Sequence, residues 1–182
     1  MMAPHMAAPD HMPLPALQAA LPRLKTDRLT LRVPGLDDLS LLNQISDEQR
    51  NQDLLAPDIW DEFLQMTATW VFRGHGWFTV ADATGACGLV GLGFEPGDRE
   101  PELGYLFAAK AHGKGYATEA ARAVRDFGRD EAKLPSLVSY IHDGNTASMN
   151  VARKLGASRD ANSEAALDDS GMQVWRHWGQ VS

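Results

Sequence analysis

The 182-residue chain is 44% hydrophobic and 23% charged, an ordinary globular composition, and its length suits one well-buried domain. A formal net charge of -7 excludes a protein that works by coating nucleic acid or an anionic membrane, because neutralising phosphates takes a basic face; a local basic pocket for a small anion stays open. Cys87 is the only cysteine, which excludes an internal disulfide and a cysteine-rich metal site, fits a reducing, cytoplasmic setting, and reads as a small buried hydrophobe.

No run approaches the roughly 20 apolar residues that span a bilayer, so a soluble protein is expected. Residues 1–22, interrupted by prolines at 4, 9, 13, 15 and 22, lack the charged start and apolar core of a signal peptide. They read as a flexible tail, leaving 23–182 as the domain. In RLTLRV (28–33), Leu29, Leu31 and Val33 alternate with Arg28, Thr30 and Arg32, the period of a half-buried strand, which Pro34 and Gly35 end. Residues 36–46 and 58–72 carry apolar positions at three- and four-residue spacing and predict helices, with Asp37 and Asp58 as N-caps. WFTVAD, CGLVGLGFE and ELGYLF, separated by turns at 83–85 and 96–98, predict an antiparallel meander.

Residues 116–132, rich in alanine, place Ala120, Val124 and Phe127 on one helix face. LVSYI reads as a strand, and 145–155 (NTASMNVARKL) as a helix stopped by Gly156. Residues 157–178 read as a hairpin turning around 168–171. The order β-α-α-β-β-β-α-β-α-β-β predicts a single α/β (α+β) domain, with helices flanking one mixed sheet and no internal repeat.

Between ELGYLF and the alanine-rich helix lies HGKGYATEA (112–120). Glycine at a strand-to-helix turn lets backbone approach a ligand, and the first helical N–H groups with the helix dipole favour an anion. Two common phosphate loops fail on spacing. A P-loop needs glycine five residues before Gly113-Lys114 and Ser or Thr after it, where Ala108 and Gly115 stand; a dinucleotide fingerprint lacks its third glycine. No histidine or carboxylate cluster has metal-site spacing, so no metal is expected.

With LKTDRLTLR at the start, ELGYLF and HGKGYATEA in the middle and NTASMNVARKLGA later, the chain from about Leu24 to Trp178 resembles the GNAT superfamily of N-acetyltransferases, in particular the ribosomal-protein alanine N-acetyltransferase branch. The resemblance implies that acetyl-CoA lies between the strands ELGYLF and LVSYI. Backbone groups of Leu106, Phe107 and Ala108 would pair with its pantetheine arm. His112, Gly113, Lys114, Gly115, Tyr116 and Ala117 correspond to the family's cofactor loop, and Gly113 to Thr118 would surround the pyrophosphate. His112 departs from the usual Gln or Arg. Asn145, with Asn150 and Lys154, would lie along the cofactor.

The implied reaction passes acetyl directly from the thioester to a primary amine, which requires a base, an oxyanion donor and an acid for the thiolate. Glu102 is the candidate base, acting through a water, and the Phe107 N–H or a neighbour is the candidate oxyanion donor. Ser148, three residues after Asn145 on the same helix start, is the candidate acid. His75, the His142-Asp143 pair, Trp60, Trp70 and Trp77 carry less weight as pocket or core residues. The acceptor, a protein N-terminus or a small amine such as an amino acid, polyamine or antibiotic, stays open, as do the oligomeric state and a non-catalytic acyl-CoA-binding module.

Overall fold

A hairpin opens the described chain: β1 (Arg23–Lys25) pairs antiparallel with β2 (Thr30–Arg32), Leu24 opposite Leu31. The computed structural model describes residues 21–49, 59–94, 98–167 and 171–179. The expected tail falls almost wholly outside them, as do Asp58 and the turn residues 96, 97 and 168–170. The expected strand RLTLRV is shorter than its alternation suggests, and its partner β1 is too short to show a period.

A 3-10 turn (Leu36–Asp38) then leads into α1 (Leu39–Gln49), followed by α2 (Ile59–Arg73). The N-cap expected at Asp37 is corrected: buried Asp38 accepts the Gly35 N–H at 2.8 Å and both terminal nitrogens of Arg32 at 2.6 and 2.8 Å. The meander follows as β3 (Trp77–Asp82), β4 (Gly85–Gly93) and β5 (Glu102–Phe107), with a 3-10 turn at Ala109–Ala111. Next come α3 (Tyr116–Asp130), β6 (Leu137–His142) and α4 (Thr146–Lys154). The C-terminal part holds β7 (Ser158–Arg159), a four-residue helix α5 (Ala161–Glu164) and β8 (Met172–Trp178).

The strands form one eight-stranded sheet in the order β1-β2-β3-β4-β5-β6-β8-β7. Every neighbouring pair is antiparallel except β5 with β6. The expected terminal hairpin exists, yet β8 also lies between β6 and β7, because its long run of ladder bonds is with β6.

One core joins α3 to the sheet through Ala120, Ala121, Val124 and Phe127 against Phe78, Val90, Leu103 and Phe107. A second gathers Leu41, Leu42 and Ile45 of α1 with Phe63 and Met66 of α2 around Leu89. A third packs α4 through Ala152 against Ile141 and Trp175. Burial of these side chains supplies the main drive for holding helices on the sheet, about 1.5–3 kcal/mol for each large one. Cys87 lies inside the first core.

Candidate active site

The parallel pair β5/β6 is where the sheet opens. The two strands share a single residue pair, Glu102 with Val138, and the Val138 N–H donates to the Pro101 carbonyl at 3.1 Å. One step further on, a side chain replaces the ladder: Ser139 Oγ donates to the Leu103 carbonyl at 2.7 Å. A hydroxyl has one proton, so Ser139 must accept from His177 Nε2, 3.1 Å away. The other ring nitrogen of His177 is buried without a hydrogen-bond partner. Burial first, then the charge of Arg125, pushes His177 down to about 4, so the ring is neutral near pH 7.

On its opposite edge β5 stays paired with β4 along its whole length. The Ala108 N–H donates to the Cys87 carbonyl at 3.1 Å. Peptides alternate sides along an antiparallel ladder, so Leu106 also bonds toward β4, while Tyr105 and Phe107 turn their backbone groups into the gap. The backbone role expected of Leu106 and Ala108 is corrected accordingly: those peptides are committed to β4, and the gap-facing ones belong to Tyr105 and Phe107.

His112 Nε2 lies 2.9 Å from the Phe107 carbonyl. A carbonyl can only accept, so the imidazole donates and is turned to the strand end. Beyond it, Gly113 (φ 74°) and Gly115 (φ 78°) both take the left-handed conformation that only glycine adopts readily. Gly115 is the N-cap of α3 and no side chain caps this helix, which leaves the first-turn N–H groups of Tyr116, Ala117 and Thr118 without an intrahelical acceptor. A Cβ on Gly113 would meet nothing within 4 Å. Such a turn can hold an anion. Lys114 Nζ lies 5.6 Å from the Tyr116 ring centroid.

A cleft of about 790 Å³ runs from the strand gap to α2. Glu102, Tyr105, Leu106, Asn145 and Ser148 line it, together with Trp77 and Phe72. The Trp77 indole lies on glycine: a Cβ on Gly104 would stand 2.7 Å from it and one on Gly91 2.4 Å. Two of the strand glycines in CGLVGLG and ELGY therefore make room for a cleft wall.

The structure brings Glu102 and Ser148 to one cavity and sets the glycine turn at the far end of β5. Asn145 lines the cleft too, but its side-chain oxygen caps α4 by accepting the Ser148 N–H at 3.1 Å. Asn150 and Lys154 do not line it. Asn150 is exposed and accepts from Arg153 at 2.9 Å, and Lys154 is exposed on the same helix. His75 is buried with Nδ1 3.0 Å from the Leu92 carbonyl, Trp70 is buried, and Trp60 is 45% exposed. His142 is exposed, and Asp143 accepts from Gln173 at 2.6 Å. Among the described residues no group of three or more His, Cys, Asp or Glu could hold a metal ion, and no helix is long and apolar enough to cross a membrane.

The family described as Acetyltransferase (GNAT) domain matches residues 28–158. The chain belongs to the GNAT acetyltransferase family. It is similar to YkkB of Bacillus subtilis, a protein of uncharacterised function, with 31% identity over 153 residues, 74% of this chain and 84% of that one. An acetyltransferase from Agrobacterium tumefaciens shares 33% identity at a TM-score of 0.78, over 88% of this chain and 96% of that one. The self-immunity acetyltransferase MccE, solved in complex with acetyl-CoA and AMP, has the same fold at 17% identity and a TM-score of 0.63, over 83% of this chain and 92% of that one.

This GNAT chain is thus an acyltransferase, and its cleft contains residues that sequence reasoning passed over. The Tyr105 hydroxyl donates to the Ser148 carbonyl at 2.9 Å and ties the first turn of α4 to β5; burial pushes it up to about 12. Its place in ELGYLF was the available signal, since Leu103, Tyr105 and Phe107 share one face. Tyr140 is also pushed up to about 12, by burial and then by Asp98, Glu100 and Glu102. Nothing local in LVSYI foretells that neighbourhood.

Proposed function

We propose that the chain transfers an acetyl group from acetyl-CoA to a primary amine, by direct attack in a ternary complex. The observation that carries this reading is the gap after the Glu102–Val138 pair, with Tyr105 and Phe107 peptides facing into it and an uncapped helix start at its end. The pantetheine arm would pair with those two peptides as an added strand segment, and the pyrophosphate would sit on the first turn of α3. The residues fit this group: the turn is glycine where the backbone must come close, and the space beyond Gly113 is open.

In the reaction, the amine nitrogen attacks the thioester carbonyl carbon and a C–N bond forms. Glu102 takes the amine proton through a water. The Phe107 N–H or its gap-facing neighbour, the Tyr105 N–H, whichever the pantetheine arm leaves open, stabilises the oxyanion, whose charge develops only in the transition state. The C–S bond then breaks and Ser148, whose backbone carbonyl is held by Tyr105, delivers its proton to the departing thiolate and regains one from solvent, to which Glu102 releases the amine proton. The acceptor we assign is the amine of a peptide N-terminus. Its support is the likeness of LKTDRLTLR, ELGYLF and NTASMNVARKLGA to the ribosomal-protein alanine branch.

The test has two parts. Acetyl-CoA is expected to raise the unfolding temperature of the protein, by linkage, where ATP and NAD do not. Mass detection of acetylation over N-terminal peptides and small amines then reports the acceptor. Stabilisation by ATP and not by acetyl-CoA would remove the cofactor assignment. Product from polyamines or amino acids alone would replace the peptide acceptor, and binding without any product would leave an acyl-CoA-binding regulatory module.

A further inference from the structure

The first turn of α3 carries a carboxylate where an anion is to bind. Glu119 lies four residues after the N-cap Gly115, and its oxygens are fully engaged. Oε1 accepts from Thr26 Oγ1 at 2.5 Å and from the Arg28 backbone N–H at 3.1 Å. Oε2 accepts from Arg28 Nε at 2.8 Å and Nη2 at 2.6 Å. The same guanidinium donates through Nη1 to the Lys114 carbonyl at 3.0 Å and lies 4.8 Å over the Tyr116 ring. A Cβ on Gly115 would stand 3.6 Å from Arg28 Nη2. One side chain from the LKTDR segment thus grips the glycine turn, the helix start and the helix carboxylate together.

Folding stability explains this arrangement only in part, although Glu119 itself is 19% exposed. The Arg28 side chain is 50% exposed, and ion pairs at such exposure contribute about 0–1 kcal/mol. Electrostatics at the turn supplies the rest. A carboxylate in the first turn complements the helix dipole, but it is a like charge to any pyrophosphate seated there. A cation fixed to that carboxylate cancels the repulsion.

We propose that Arg28 is a positioning residue for the pyrophosphate of acetyl-CoA: it neutralises Glu119 and holds the Lys114–Gly115 peptide so that its N–H faces the anion. The orientation follows from the planar trans peptide, whose N–H points opposite its carbonyl. With the Lys114 oxygen held toward Arg28, the Gly115 N–H is aimed away from it. This role rests on the acetyl-CoA reading above.

Calorimetric titration of acetyl-CoA into the full-length wild type, Arg28→Met, Glu119→Gln, the double variant and Arg28→Lys tests it, with circular dichroism confirming that each is folded. Arg28→Met is expected to weaken binding about tenfold or more, from the uncancelled like charge. Glu119→Gln, having no charge to cancel, stays within about threefold of wild type, and the double variant binds more tightly than Arg28→Met but less tightly than Glu119→Gln, because nothing then holds the Lys114 carbonyl. Arg28→Lys, which keeps the charge but not the fork that reaches Glu119 and the Lys114 carbonyl together, falls between wild type and Arg28→Met. Wild-type affinity in Arg28→Met, or a double variant as weak as Arg28→Met, would overturn the proposal. So would a loss in Glu119→Gln as large as that in Arg28→Met, which marks a merely structural brace. A wild type that does not bind acetyl-CoA would instead remove the cofactor reading itself, and this role with it.

Discussion

Glu102 stands at the last residue pair before β5 and β6 part, at the edge of the cleft. Its charge bears on the Tyr140 hydroxyl, as do those of Asp98, Glu100 and, in the opposite sense, Arg176. A carboxylate at this place attracts the ammonium form of an acceptor amine. Glu102→Gln is expected to lower kcat by about 100-fold or more while leaving acetyl-CoA affinity within about threefold. Steady-state rates against pH with calorimetric binding check this, and a variant as fast as wild type across pH would eliminate Glu102 as the base. The identity of this residue was legible, because ELGYLF brings a carboxylate to the start of a strand. Which peptides face the gap was not: that parity is set by the register of β4, through Ala108 on Cys87.

At the scale of elements, the start of α3 illustrates how local chemistry is read. Two glycines before a run of helix formers predicted a turn with close backbone approach, and both glycines have positive φ. Gly115→Ala forces an L-residue into the left-handed region at a cost of about 1–2 kcal/mol and disturbs the N–H groups of the turn. A fall in unfolding temperature of a few degrees and about a tenfold loss of acetyl-CoA affinity are expected. Thermal melts and calorimetry measure both, and full affinity with a lowered melting point would show that the anion sits elsewhere. Long amphipathic elements such as α2 and α3 and the meander β3 to β5 were legible from their periods. Short ones were not. β1 has three residues and α5 four, less than one clear period each, and both form because β2 and β8 offer partners.

Across the whole molecule, β8 binds distant parts together. Arg176 pairs with Glu100 at 2.7 Å and Asp160 at 2.6 Å, and Glu100 is only 4% exposed. These bonds hold the Asp160 carboxyl at about 2. One residue further on, His177 is half-buried and neutral at the strand gap. The signs for stability follow. His177 has a folded value of about 4 against an ordinary 6.5, so between these pH values the unfolded chain binds a proton that the native one refuses. Stability is therefore full above about pH 6.5 and declines as pH falls toward 4, with a slope of up to about 1.4 kcal/mol per pH unit. The Asp160 contribution, present above its unfolded value near 3.8, is lost as pH falls through about 2. Urea unfolding between pH 7.5 and 4.5 checks the first window. His177→Gln, which keeps a donor for Ser139 and cannot titrate, is expected to flatten that decline, and an unchanged slope would show that His177 is not its source.

By itself the sequence determined the class of domain, the succession of its longer elements and the glycine turn that starts α3. Each of these depends on neighbours within about ten residues, the range over which periodicity, capping and turn chemistry act. Only the tertiary structure decided where the sheet opens and what supports the opening. Ser139 reaches Leu103, His177 reaches Ser139, and Arg28 reaches Glu119 across 91 positions of chain. Contacts of that span leave no periodic trace, because they exist only once the strands have chosen their partners and register.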